Sequence, residues 1–442
     1  MTIPLLLSLV LTIDLLNGTN AFFLNASSLW RDPWFIGLVA AFVSLVANAE
    51  FYRRFGASIR SAPRLDAEKD DLSEGDLLKG EASVLPSVSV IVPAYNEAAN
   101  IEDCLRAILK NRRPAADRLQ AIVADDESTD ETAALAQQVA KSDKRVTVFT
   151  VPPRPTEIAW RGKNWACMQA AKRATGEYLL FLDADVRLEE EAIARALFDA
   201  QAYDTDLLSC APKIICGCFS EWLIQPIMAT LIAVGFSFDG VNDPNQLDKA
   251  AAAGPFMLFR RRAYEQIGTH AAVATETVED FALAKLIKSS GLTLRYVIGL
   301  DVASVRMYRS FGGLWEGWTK NFYIAAERSF FLTTASAVAV FLIFVVPWAG
   351  LVAGFVGVWN LALSAGGSSA NRSATALLLV AGLAVLVQVY GRVKSARIVA
   401  QPPKYIWLGW LGGGIISAIC LASMVKTETG WGWTWRGRSL AD

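Results

Sequence analysis

The residues of this chain best placed to do chemistry are acids that follow short apolar runs. Asp183-Ala-Asp185 closes the run Tyr178-Leu-Leu-Phe-Leu182, so two oxygen donors share one strand-to-loop corner. Hard oxygen ligands of this kind suit Mg2+ or Mn2+, which keep waters and hold substrate phosphates. Asp125-Asp126 ends a second run at 119–124, and Asn96-Glu97 follows a third at 87–92. Asp126 at a strand end can accept a hydrogen bond from a bound base or ribose. Lys163, just after Gly162 at a helix start, reaches a phosphate, pairs with an acid, or simply faces solvent.

The elements that must position these acids alternate between strand and helix. The β-branched run 87–92 stops at Pro93, and Asn96 and Glu97 open an amphipathic helix at about 98–111. A buried strand at 119–124 precedes a helix at about 130–141, for which Ser128 and Asp130 are natural N-caps. Strands follow at 147–151 and 178–182, with a helix opening at Gly162-Lys163-Asn164 between them. Such alternation with short links predicts a mostly parallel, Rossmann-like sheet covered on both faces. Ligands in such sheets sit beyond the carboxyl ends of the strands. Three of those ends carry acids, which a merely solvated edge does not require.

Composition removes other chemistries. His270 is the lone histidine in 442 residues, so multi-histidine metal sites and histidine phosphotransfer are excluded as the main programme. His270 either lines a substrate site or has a structural or surface role. The net charge is −1, which gives no field for nucleic acid. Six cysteines without paired metal spacing read as free or buried thiols in a reducing compartment.

Charge is segregated along the chain. Residues 1–50 hold four charges and 330–442 hold ten, while 71 of the 85 fall in 51–329. A water-soluble middle therefore lies between two hydrophobic ends. Apolar stretches at 3–24, 34–52, 330–363, 375–391 and 405–425 predict two spans before the soluble part and three or four after it. Pro347 is the place for a hairpin or kink in the long run 330–363. Arg53-Arg54 puts that helix end in the cytoplasm. The basic segment 392–397 and the tail Trp435-Arg-Gly-Arg438 also prefer the cytoplasm, yet one expected span separates them. The expected division is an N-terminal transmembrane region (1–54), a charged linker (55–84), a catalytic domain (85–305), an interfacial helix region (306–329) and a C-terminal transmembrane region with an aromatic and basic tail (330–442).

Four motifs occur in order: Val90-Ile-Val-Pro-Ala-Tyr-Asn-Glu97, Val123-Ala-Asp-Asp-Glu-Ser-Thr-Asp130, Gly162-Lys163 and Leu182-Asp-Ala-Asp185. Together they resemble the signature of family 2 glycosyltransferases with a GT-A fold. Val241-Asn-Asp-Pro244, Ala252–Arg260, Glu279–Ala284 and Arg306–Phe311 resemble a membrane-bound subgroup associated with carotenoid, hopanoid and other lipid glycosylation. The resemblance covers about 85–330. It implies a nucleotide-sugar donor, a divalent metal and inversion at the anomeric carbon. It maps the nucleotide pocket onto Pro93, Tyr95, Glu97, Asp126 and Lys163, with Asp183 on the donor side and Asp185 on the metal.

The same resemblance makes Asp280 the catalytic base, which must take the acceptor hydroxyl's proton as the diphosphate leaves. Glu279-Asp280 also suits a helix N-terminus, where the dipole favours acids. Gly254 is expected as an acceptor-side wall, with Glu279 near it. The Q-x-x-R-W motif of processive polysaccharide synthases is missing; Gly317-Trp-Thr-Lys-Asn321 stands in its region. There Trp318 and Lys320 either substitute, with Lys320 meeting the diphosphate, or belong to an interfacial helix. The tail Trp431–Arg438 suits the membrane interface, its arginines on lipid phosphates.

The expectation is a multi-pass inner-membrane transferase with a cytoplasmic catalytic domain. It would move one hexose from UDP-glucose or UDP-galactose to a lipid hydroxyl. The alternatives are a polyprenyl-phosphate sugar synthase, a polysaccharide synthase-translocase and a non-enzymatic nucleotide-binding transport protein.

Overall fold

The computed structural model describes residues 32–65, 85–363 and 369–440. The expected span at 3–24 and most of the expected linker lie outside them. The chain divides into two units, one of residues 46–345 with 386–442 and a smaller one of 1–45 with 346–385.

The larger unit holds an eight-stranded sheet: β1 (Val88–Ala94), β2 (Leu119–Asp125), β3 (Val146–Thr150), β4 (Tyr178–Leu182), β5 (Val186–Leu188), β6 (Leu207–Ile214), β7 (Phe256–Arg260) and β8 (Leu294–Val305). Their order is β3-β2-β1-β4-β7-β6-β8-β5. The first four are mutually parallel, β7 runs antiparallel to both its neighbours, and β5 pairs antiparallel with β8. The longer helices are α1 (Pro33–Ser61), α2 (Ile101–Leu109), α3 (Thr132–Ser142), α4 (Gly162–Ala171), α5 (Ala192–Ala202), α6 (Phe219–Gly235), α7 (Glu279–Ser289), α8 (Phe311–Ala325), α9 (Phe330–Phe344), α10 (Val346–Leu363), α11 (Ser369–Ile398) and α12 (Gly409–Thr429).

Strands β1, β2 and β4 are near-continuous apolar runs because both faces of the sheet are covered. Val88, Val90 and Val92 join one core with Leu105 and Ile108 of α2 and Leu197 of α5. Ile91 and Ile122 join the opposite core with Trp165 of α4 and Leu283 of α7. Each fully buried aliphatic side chain contributes about 1.5–3 kcal/mol. β2 and β4 flank β1 on opposite sides, so the order of strands reverses there. The carboxyl ends of these three strands border the crevice that such a reversal creates.

The Val241–Pro244 motif is scaffold. Asn242 Nδ2 donates to Phe238 O and Tyr296 O, each at 2.9 Å, and its Oδ1 accepts from Tyr296 N–H at 2.8 Å. The buried Lys288 ammonium ties the following loop, its three N–H groups shared among four carbonyls, of Gly240, Val241, Gln246 and Lys249.

At the membrane-like ends, α1 runs past Arg53-Arg54 to Ser61, burying Phe55 and Ile59, so 55–61 is helix rather than linker. The long apolar run breaks between Phe344 and Val346, next to Pro347. In the smaller unit Ala41, Leu377 and Ala381 pack together. Among the described residues, three helices are long and apolar enough to cross a membrane, at 33–61, 372–398 and 406–429. Counting α9 with α10 as one broken span makes four.

Candidate active site

The loop after β1 is fastened to the loop after β2 by the polar residues of the second motif. Asn96, held at φ 52°, donates its N–H to Ser128 Oγ at 3.0 Å and accepts from Thr129 N–H at 2.9 Å. Glu97 N–H donates to Thr132 Oγ1 at 2.7 Å, and Ala98 N–H to Asp130 Oδ2 at 3.1 Å. Ser128 serves this cross-link, and Asp130 does both jobs, its Oδ1 accepting the N–H of Thr132 at 3.0 Å where the helix begins. Loop-to-loop bonding across a parallel sheet has no local sequence signal, so the sequence shows the capping role alone.

That cross-link ties the loop bearing Glu97 to the loop bearing Asp126. Glu97 Oε2 accepts from Asn100 Nδ2 at 2.8 Å. Asp126 is buried and ion-paired to Arg154 at 2.8 Å. α4 opens on glycine for a steric reason, because a Cβ at Gly162 would strike the Asp126 carboxylate. Pro93 stays within β1, paired with Ala124.

Lys163, one residue into α4, bridges two acids from different elements. Its Nζ lies 2.7 Å from Asp183 Oδ1 and 2.8 Å from Glu279 Oε1. Burial works to lower the lysine, but Asp183 and Glu279 outweigh it and hold the ammonium well above its usual range. Burial likewise works to raise Glu279, and Lys163 outweighs that and keeps it ionised. Asp185 behaves differently. Burial first, then the nearby Asp183 and Glu97, push its carboxyl up to about 8, and its Oδ1 is a buried atom without a hydrogen-bond partner. An unpartnered carboxylate oxygen beside a second acid is what a hard divalent cation relieves. Among the described residues no three His, Cys, Asp or Glu side chains form a closed cage. Two carboxylates plus substrate oxygens suit Mg2+ or Mn2+, which bind by few protein ligands.

Asp280, on the first turn of α7, faces Gly254. Its Oδ2 accepts the Gly254 N–H and its Oδ1 the Phe281 N–H, each at 2.9 Å. A Cβ at Gly254 would sit 2.9 Å from Oδ2, so only glycine lets the backbone come this near. Burial, then Glu279, push Asp280 up to about 7.

Of the residues singled out from sequence, Glu97, Asp126, Lys163, Asp183, Asp185, Glu279, Asp280 and Gly254 thus border one crevice. Lys320 joins them from α8, its ammonium pushed below its usual range by burial against the partial support of Glu279. Trp318 does not. It is buried in a packing cluster, with Nε1 donating to Gln225 Oε1 at 2.8 Å. His270 is structural: fully buried, its Nδ1 is 2.8 Å from the Tyr264 hydroxyl and its ring lies 4.7 Å from that of Phe181. Burial drives it down to about 3, so it stays neutral. All six cysteines are free, five of them buried.

Three residues that sequence reading missed are arginines. Arg154 follows β3 with no motif around it. Arg436 and Arg438 had been expected on lipid phosphates. Instead Arg436 Nη1 lies 2.5 Å from Glu97 Oε1, and Arg438 is ion-paired to Asp126. The Arg438 guanidinium also covers the Tyr95 ring, 3.4 Å from its centroid. Only the run of tryptophans and arginines hinted at a docked tail.

Comparison with known proteins bears on this crevice. Residues 89–268 match the family described as Glycosyl transferase family 2. Two relatives are named 4,4'-diaponeurosporenoate glycosyltransferase. That of Staphylococcus haemolyticus is 29% identical over 57% of this chain and 65% of its own length. That of Staphylococcus aureus (strain USA300) is 31% identical over 53% and 60%. The match thus spans somewhat under two thirds of these relatives. A mannosyltransferase from Pyrobaculum calidifontis, solved with GDP-Man and Mn2+, shares the fold with a TM-score of 0.51 at 20% identity, over 89% of this chain and 98% of that one. Residues 89–268, which carry the crevice at the ends of β1, β2 and β4, thus match a glycosyltransferase family 2 domain with a GT-A-like fold, and the chain is similar to relatives named for a carotenoid acid.

Proposed function

We propose that this chain is a membrane-bound inverting glycosyltransferase, moving one hexose from UDP-glucose or UDP-galactose to a hydroxyl of a lipid acceptor. The observation that carries the reading is the placement of Asp280. It is held by two backbone N–H groups beside the Lys163–Asp183–Glu279 cluster.

In the step proposed, the acceptor oxygen bonds to the anomeric carbon on one face while the bond from that carbon to the diphosphate breaks on the other. The hydroxyl proton passes to Asp280. Each Asp280 oxygen accepts one backbone N–H and retains a lone pair for that proton. Glu279 stays ionised on Lys163, so the proton is directed to Asp280. Lys163 and Lys320 bring positive charge towards the leaving diphosphate. Asp183 and Asp185 would hold Mg2+ or Mn2+, which supplies charge neutralisation of the diphosphate. Asp126 and Glu97 serve the nucleoside, with Tyr95 and Pro93 beside them.

The relatives' names support a lipid-like acceptor. They also favour a second reading, since diaponeurosporenoate is a carotenoid acid. A carboxylate attacks without surrendering a proton, and so does the phosphate of a polyprenyl-phosphate acceptor. Arg53-Arg54 beside an apolar helix supports a catalytic unit on the cytoplasmic face of the plasma membrane, where nucleotide sugars are made.

Asp183→Ala and Asp185→Ala should each abolish transfer assayed with Mn2+ or Mg2+ while leaving expression and membrane insertion intact. Metal-independent transfer that survived both changes would sink the cation assignment. Mass spectrometry of lipids from cells with and without the gene would give the sugar class as an added mass.

A further inference from the structure

The tail after α12 forms a small hairpin of β9 (Thr434–Trp435) and β10 (Arg438–Ser439), paired antiparallel. Its two turn residues, Arg436 at φ 49° and Gly437 at φ 80°, both take left-handed backbone, as a two-residue hairpin turn demands. The hairpin is anchored on three sides. Thr434 Oγ1 donates to Glu316 Oε1 at 2.6 Å, Arg161 Nη1 donates to Leu440 O at 3.0 Å, and the Lys320 ammonium sits 4.5 Å from the Trp435 ring centre.

These anchors drive both hairpin arginines into the crevice. Arg436 Nη1 donates to Tyr95 O at 2.8 Å as well as to Glu97, and its charge is felt by Asp185. Arg438 Nη2 donates to Asp126 O at 2.7 Å while the same guanidinium covers Tyr95 and meets the Asp126 carboxylate. Arg438 also forms part of the wall of a cavity of about 270 Å³, with Asp126, Val151 and Arg154.

We propose that the C-terminal hairpin is a wall of the donor site and that Arg436 and Arg438 bind the nucleoside diphosphate directly. The inference rests on the donor reading above and names ligands that no sequence motif of the soluble domain supplies. Charge makes the case. Six carboxylates border the crevice: Glu97, Asp126, Asp183, Asp185, Glu279 and Asp280. Among the described residues outside the hairpin, Lys163, Lys320 and Arg154 bring positive charge to these acids, and two of those cations are already committed to acids. A divalent cation at Asp183 and Asp185 would neutralise part of this acidity, and two further guanidinium groups add positive charge where the diphosphate enters. A guanidinium has five donors, so each arginine can keep a carboxylate on one edge and take a phosphate oxygen on another. Arg438, stacked on Tyr95, lies on the nucleoside side; Arg436, between Glu97 and Asp185, lies on the diphosphate side.

The test is calorimetric titration of the full-length protein in detergent with UDP and separately with GDP, each with Mn2+. Arg436→Gln and Arg438→Gln should each weaken binding of whichever nucleotide binds by about tenfold or more, with Arg438→Lys recovering part of the loss. Unchanged or tighter binding in the Gln variants would overturn the proposal, the tighter result marking the hairpin as a plug. Wild-type protein that bound neither nucleotide would overturn the donor reading itself, and the hairpin assignment with it. A second measurement needs no variant. Trypsin cleavage after Arg436 and Arg438 should slow when the bound nucleotide and Mn2+ are present; cleavage that quickened or stayed the same would contradict direct contact.

Discussion

At Asp280 the local chemistry makes an acid–base group out of an ordinary side chain. Burial and the adjacent Glu279 raise its proton affinity to about 7, while Lys163 and two backbone N–H groups restrain the rise. A base must be deprotonated to work, so kcat/KM should climb roughly tenfold per pH unit towards 7 and level off above it. Asp280→Asn should flatten that limb. A limb unaltered in the variant would assign it to another group, and its absence in the wild type would favour an acid acceptor. The sign for stability is opposite. The folded state holds the proton more tightly than the unfolded chain, so the ionised form is penalised as pH rises from about 4 through 7. Glu97, Asp126, Asp183 and Asp185 were legible because each follows an apolar strand, and Asp280 because its motif resembles the family's. Arg436 and Arg438 were not, since their pairs with Glu97 and Asp126 join residues more than 300 positions apart.

The strands β1 to β4 lie within one or two residues of where alternation put them, because buried parallel strands are unbroken apolar runs. The later strands were harder to read. β7 is antiparallel between β4 and β6, and no crossover helix announces it. Helix α12 raises a different point. It is long and apolar enough to cross a membrane, yet both its ends rest on the larger unit. Before it, Gln401 Nε2 donates to Ile214 O at 2.8 Å, and a Cβ on Gly412 would meet Leu223 O. Near its other end Ser423 Oγ accepts from Tyr323 N–H at 2.8 Å, and beyond it the hairpin sits in the crevice. Along its length Ile416, Ile419 and Cys420 pack with Leu223 and Ile227 of α6, Leu314 of α8 and Phe344 of α9.

Across the whole molecule, most charges lie in 51–329, and the crevice draws on that middle and on the tail. Its acids come from the soluble middle, while Arg436 and Arg438 come from beyond the last apolar helix. On the proposed reading, one site would meet a water-soluble donor and a membrane acceptor. The most direct measurement uses purified protein in lipid, supplied with radiolabelled UDP-glucose or UDP-galactose and Mn2+. Label should pass into the organic-extractable lipid fraction with the wild type. With Asp280→Asn the transfer rate should fall by about 10²–10⁴ at unchanged nucleotide affinity. Transfer at the wild-type rate in the variant would contradict Asp280 as the base for a hydroxyl acceptor. Failure of the wild type to label any lipid from either donor would contradict the proposed reaction itself.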